Sequence, residues 1–292
     1  MAAQPQESLS PSLSPPLPPP LSPPLARRAT VALLGAMAAA TVMGLLAWGP
    51  VALGGHAHAH ADVRAWAGVP NAVNVLTHLP LLPLGVWGLW RLAALRGHDA
   101  LRPAWALFFA CQMLATLGGM AYHWAPGDAM FVWDQMPKSA ACALMSCAFL
   151  AERVDARWGG PWVLAGALVL AAMGGVWWLL TLRLHGVGDL RPLLWLEFMP
   201  TLLVAAGAWT LSGGLLTRGD WMRSLLSFVV AQAVDLADAP IWAASGERLS
   251  GHSVRHLALA ACVGWIAYRL AHARGDEAGG TAAPRERLAM SA

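Results

Sequence analysis

The chain has 292 residues, 57% of them hydrophobic and only 12% charged, with 16 tryptophans and a positive mean hydropathy. Such a composition fits a polytopic membrane protein and excludes an ordinary soluble domain. The net charge of +3 implies no nucleic-acid partner, because most of the arginines lie in short segments beside apolar runs, where they act as topology signals.

Residues 1–26 alternate Pro, Ser and Leu with little else (Pro15-Pro16, Pro18-Pro19-Pro20, Pro23-Pro24), and are expected to be a disordered tail. Arg27 and Arg28 then precede an apolar stretch, so 27–54 reads as an additional N-terminal transmembrane helix; a signal peptide's core would be shorter, about 7–15 residues. Gly54 to Pro70 is a polar loop with His56, His58 and His60 in strict alternation, followed by Asp62 and Arg64. Alternating histidines collect divalent metal in some chains, but a solvated loop of loosely constrained composition is the plainer reading.

Apolar runs follow at about 71–95, 104–122, 134–151, 161–182, 193–216, 222–243 and 252–271, each near the roughly 20 residues needed to cross a bilayer core. With the first run they predict an all-α, polytopic transmembrane helical bundle. Its seven-helix core occupies 55–272, after the extra N-terminal helix and before a disordered tail at 273–292. With the amino terminus inside, thirteen of the 19 Lys and Arg fall on the inner side; only Arg64, Lys138, Arg183, Arg191, Arg248 and Arg255 remain outside or near the outer ends. That asymmetry predicts N-in, C-in topology. Short loops and an Ala/Arg-rich composition point to a bacterial inner membrane. Trp66, Trp124, Trp133, Trp162 and Trp221 at run ends fit an interfacial aromatic belt. The four cysteines (Cys111, Cys142, Cys147, Cys262) lie inside apolar runs without a CxxC pair, and read as packing residues.

His123 closes the third run, Asp134 opens the fourth, and His252 and His256, four apart on one helical face, open the eighth, so all four are expected near the outer membrane face. Each has a bland reading: an interfacial polar cap for a histidine, a favourable helix N-terminal charge for Asp134. Their shared depth points further. Three imidazoles and an open position make a catalytic zinc arrangement, which lowers the pKa of water toward about 7 and polarises a carbonyl; a carboxylate beside it serves as general base. Asp235 and Asp238, three apart on one face in the seventh run, are candidates to orient a metal-binding imidazole through its other nitrogen, for a proton relay, or for a polar contact between helices. Glu197 and Lys138 read as paired or snorkelling groups.

The segments Tyr122-His123-Trp124-Ala125-Pro126, Trp133-Asp134-Gln135-Met136-Pro137 and Ser250-Gly251-His252-Ser253-Val254-Arg255-His256-Leu257 resemble the alkaline ceramidase family, within the seven-helix membrane hydrolases that include the adiponectin receptors. Pro70-Asn71-Ala72-Val73-Asn74-Val75-Leu76-Thr77-His78 is similar to the start of that family's first core helix, and the resemblance spans about 62–272. It implies zinc on His123, His252 and His256, Asp134 assisting the water, and hydrolysis of ceramide or a related lipid amide to a fatty acid and a sphingoid base. Asp238 resembles an acidic residue of the family's penultimate helix. Two departures stand out: Gly119 replaces a serine four residues before His123, and Thr77-His78 replaces a Ser-Asn pair. No acidic calcium-binding segment has a counterpart beyond Asp62, so no calcium site is expected. The partners expected are the lipid amide and membrane lipids; no protein partner is inferable. The alternatives are a non-catalytic metal- or lipid-binding sensor or carrier on the same scaffold and, last, a proton-coupled transporter using Asp235 and Asp238, for which no inverted repeat is evident.

Overall fold

The computed structural model describes residues 23–54, 58–93, 95 and 98–279, the side chains of 23–24 and 273–279 excepted. The N-terminal tail up to residue 22, the tail beyond 279 and His56 lie outside the described residues.

Among the described residues every regular element is helical: α1 (Pro23–Trp48), α2 (Ala72–Leu76), α3 (Leu81–Leu92), α4 (Arg102–Trp124), α5 (Asp128–Arg153), a 3-10 turn (Ala156–Gly159), α6 (Pro161–His185), α7 (Arg191–Thr210), α8 (Arg218–Leu236), α9 (Asp238–Ala244) and α10 (Gly251–Gly279). Proline near the first position starts α4, α6 and α7, where its missing N–H costs nothing. Thr217 and Asp220 form a reciprocal capping box at the head of α8.

Five segments are long and apolar enough to cross a membrane: Leu25–Trp48, Ala72–Leu92, Arg102–Trp124, Pro161–His185 and Arg191–Thr210. The pair α8 and α9, bent by 75° at Ala237, makes a sixth if taken as one span. These helices make the chain a membrane protein. Helices α5 and α10 have ample length, 26 and 29 residues, but stand outside that count. They carry much of the polar chemistry: Asp134 and Lys138 on α5, His252, Arg255 and His256 on α10.

Trp105, Phe109, Leu144, Phe149 and Trp221 are almost completely buried and form the packing centre. Trp105 stacks on Trp221 at 6.0 Å between ring centres, and Phe149 meets Trp221 edge-on at 5.1 Å. Two polar ties close the bundle's connections. Arg153 donates to the Leu211 and Leu216 carbonyls at 2.5 and 2.6 Å. At the loop between α6 and α7, buried Asp189 accepts from Val51 N–H (3.0 Å), the Trp177 indole (2.9 Å) and Arg191, fastening the segment after α1 to both helices. Helix α1 rests on α7 and keeps most of its apolar side chains exposed, as a lipid-facing helix does.

Candidate metal centre

The C-terminus of α4, the N-termini of α5 and α10, and the short helix α2 meet at one end of the bundle. Two asparagines on and before α2 fix their relative positions. Asn71, in the left-handed conformation at φ 46°, donates to the His123 carbonyl at 2.8 Å. Asn74, fully buried, donates to the Asp62 carbonyl at 3.0 Å and accepts from Ser253 Oγ at 2.8 Å. The loop before α2 is therefore not the loosely constrained, solvated segment its composition implied. Asp62 is buried and gripped by Arg64 at 2.6–2.8 Å, and His58 bridges Tyr122 and Asp128.

Five imidazoles converge here: His60, His78, His123, His252 and His256. Two groups have ligand atoms all within 4.8 Å of one another, His60 with His123 and His252, and His78 with His123 and His256. His252 Nδ1 donates to Asp235 Oδ1 at 2.6 Å, leaving Nε2 bare, 3.2 Å from His123 Nε2. Thr77 gives its hydroxyl proton to the Val73 carbonyl, so its oxygen accepts from His256 Nδ1 at 2.9 Å and the His256 Nε2 is bare too. His78 Nδ1 meets the Asn74 carbonyl at 2.9 Å; a carbonyl only accepts, so this nitrogen carries the proton.

The site fits a metal ion on the atoms left over. His123 Nδ1 and His60 Nε2 are buried without a hydrogen-bond partner among the described residues. If His123 Nε2 holds the proton toward His252, Nδ1 is an unmet acceptor; if Nδ1 holds it, two bare nitrogens face each other at 3.2 Å. Either way a buried polar group goes unsatisfied, which native interiors avoid. Two nitrogens on one tetrahedral zinc stand about 3.3 Å apart, given Zn–N bonds of about 2.0–2.1 Å. Imidazole-rich sets suit zinc and several other divalent transition metals. His60, in the loop outside the spanning helices, is pulled down by burial, and by His252 beside it, to a pKa of about 4. At neutral pH it is uncharged, the form in which histidine binds metal.

Below the imidazoles lies a ring of charge. Lys138 stands 3.9 Å from Asp134 and 3.7 Å from Glu197, and Arg255 pairs with Asp235 at 2.7 Å and approaches Glu197 at 3.9 Å. A cavity of 410 Å³ runs from His60, His123, His252 and His256 past Asp134 and Glu197 to an apolar floor that includes Phe228, Leu259 and Val263.

All three imidazoles singled out in the sequence are in this cluster, but divided between its groups: His123 belongs to both, His252 to one and His256 to the other. Asp134 lines the same cavity. Asp235 and Asp238 do not share one continuous helical face, because the chain bends between α8 and α9. Asp235 holds the His252 ring, whereas Asp238 accepts the His252 backbone N–H at 2.9 Å and Ala61 N–H at 2.8 Å. Gly251 permits this approach, since a Cβ there would lie 2.1 Å from the Val234 carbonyl oxygen. Glu197 and Lys138 are paired, as read from the sequence. His60 and His78 were not among the predicted ligands. The alternating loop histidines were a signal for the first; for the second, the only hint was a departure from a motif.

No protein-family model, curated protein or solved structure matches the chain.

Proposed function

We propose that this chain is a metal-dependent integral membrane hydrolase that cleaves ceramide or a related lipid amide, with zinc held by His123, His252 and His256. The observation that carries the reading is the convergence of these imidazoles with Asp134 at the polar head of a deep cavity with an apolar floor. The resemblance of their three segments to the alkaline ceramidases supplies the substrate class. On this reading the chain is a seven-helix core plus α1, lies N-in and C-in in a bacterial inner membrane, and cleaves near the outer leaflet.

A bound zinc ion would polarise the amide carbonyl and lower the pKa of water. The chain's own groups do the rest. Asp235 and Thr77 hold the His252 and His256 rings with their Nε2 atoms toward the centre. The Asp134 carboxylate takes a proton from the attacking water and returns it to the departing amine nitrogen, so that acid and amine leave with protons balanced. Lys138 stands 3.9 Å from Asp134, one turn along the same helix, and places a positive charge beside that carboxylate. The apolar lower cavity matches an acyl chain, whose burial is worth about 0.8 kcal/mol per CH₂.

Purified protein should release fatty acid from a labelled ceramide, and Asp134→Asn should abolish turnover while leaving zinc content near one per chain. A wild type that holds zinc yet cleaves no lipid amide would refute the hydrolase reading. One observation favours a second reading, a non-catalytic metal-binding sensor or carrier: five imidazoles are present where three and an open position suffice for catalysis.

A further inference from the structure

We infer that His78 is itself a metal ligand, grouped with His123 and His256, and that Gly119 is the residue that admits it. The inference rests on the metal reading above and departs from it in the ligand set.

Three observations carry it. First, His78 is 5% exposed, and its ligand atom falls within 4.8 Å of those of His123 and His256. Its ring centre is 3.7 Å from that of His256 and 5.2 Å from that of His123. Second, its tautomer is fixed from outside the cluster. The Nδ1 proton is committed to the Asn74 carbonyl at 2.9 Å, and Asn74 is itself anchored by Ser253 and the Asp62 carbonyl. Nε2 is therefore left as a bare lone pair on a ring that cannot easily turn, the arrangement by which metal-binding histidines are oriented. Third, the ring occupies space that exists only because residue 119 has no side chain. A Cβ at Gly119 would lie 2.3 Å from His78 Nε2 and 2.7 Å from Cδ2, and 3.0 Å from Asp134 Oδ1. A side chain at 119 and the imidazole of His78 thus exclude one another, and Nε2 stands beside the carboxylate that faces the cavity.

His60 has a weaker claim to the same role. It is more exposed, and among the described residues no hydrogen bond of known polarity assigns its tautomer. A set of imidazoles selects a metal of borderline softness, such as zinc or cobalt, over magnesium or calcium. Zinc expands from four to five ligands, so a donor from the cavity side still has a place.

The test uses the full chain in detergent, stripped by chelator and titrated with Co²⁺, whose visible absorption reports ligand number and type. Wild type should bind about one Co²⁺ per chain. His78→Ala should lower the affinity by about 100-fold or more, at or beyond the top of the range for merely orienting partners, and change the visible bands. Gly119→Ala should do the same with His78 still in the sequence, because the added methyl expels the ring. His78→Cys should gain a sulfur-to-cobalt charge-transfer band absent from wild type, which arises only if side chain 78 touches the metal; this band decides the matter if His78→Ala fails to fold. Wild-type affinity and spectrum in His78→Ala and Gly119→Ala, with no new band in His78→Cys, would overturn the inference while leaving the metal centre standing. A wild type that binds no Co²⁺, or a His123→Ala variant that binds it unchanged, would remove the metal reading and this inference together, since His123 belongs to both groups.

Discussion

His252 and Asp235 face each other across the contact between α10 and α8, with Nδ1 of the imidazole donating to Oδ1 of the carboxylate at 2.6 Å. The second oxygen of Asp235 is held by Arg255 at 2.7 Å, so the carboxylate is fixed from both sides. Asp235→Asn should reduce metal affinity by about 10–100-fold, because an amide holds the same ring less strongly and with an ambiguous tautomer. Zinc competition with a chelating dye measures it; affinity equal to wild type would show that the pair does not orient a ligand.

Gly251→Ala should destabilise the bundle by roughly 1–3 kcal/mol, the usual cost of forcing a methyl into filled space. The new Cβ meets the Val234 carbonyl oxygen at 2.1 Å and the Asp238 Cα at 2.8 Å, backbone atoms with no rotamer to escape into. Moving the head of α10 outward also breaks the hydrogen bond from His252 N–H to Asp238. Thermal unfolding in detergent and metal content should fall together, and an unchanged midpoint would contradict the packing described here.

Asp189 should make the protein acid-sensitive at the loop between α6 and α7. Burial pushes its carboxyl upward, but Arg191, the Trp177 indole and the Val51 N–H outweigh burial and hold it down at about 2. A carboxyl lowered on folding contributes stability that is present above its unfolded pKa, near 3.8, and lost as pH falls through that value toward 2. Asp189→Asn should lower the unfolding midpoint at neutral pH and flatten its decline between about pH 4 and 2. If the variant declines as steeply as wild type over that interval, other carboxylates govern the acid response.

The helical class and the placement of the helices were largely legible, because apolar runs of this length announce themselves, although five or six of them, not eight, are long and apolar enough to cross a membrane. Each of the eight expected runs overlaps helix, although α7 stops at Thr210 and the seventh run breaks at Ala237. That break has a signal in the sequence, Pro240, which cannot donate to the Leu236 carbonyl four residues back and whose ring clashes with it, so that the proline falls in the first turn of a new helix, α9. His123, Asp134, His252 and His256 were legible as residues at one depth, from helix ends alone. The loop from His58 to Arg64 was misjudged because short polar segments look solvated until something buried receives their hydrogen bonds.

By itself, the sequence determined that this is a helical membrane protein, and which histidines and acids stand near one end of it, because hydropathy and spacing act along the chain. Only the tertiary structure decided which of them touch. The ring that faces Gly119 comes from His78, in the turn between α2 and α3, and the carboxylate that turns His252 is Asp235 while Asp238 takes a backbone N–H. Such choices depend on gaps of a few tenths of an ångström between helices far apart in sequence, where the absence of one Cβ makes room for a whole imidazole.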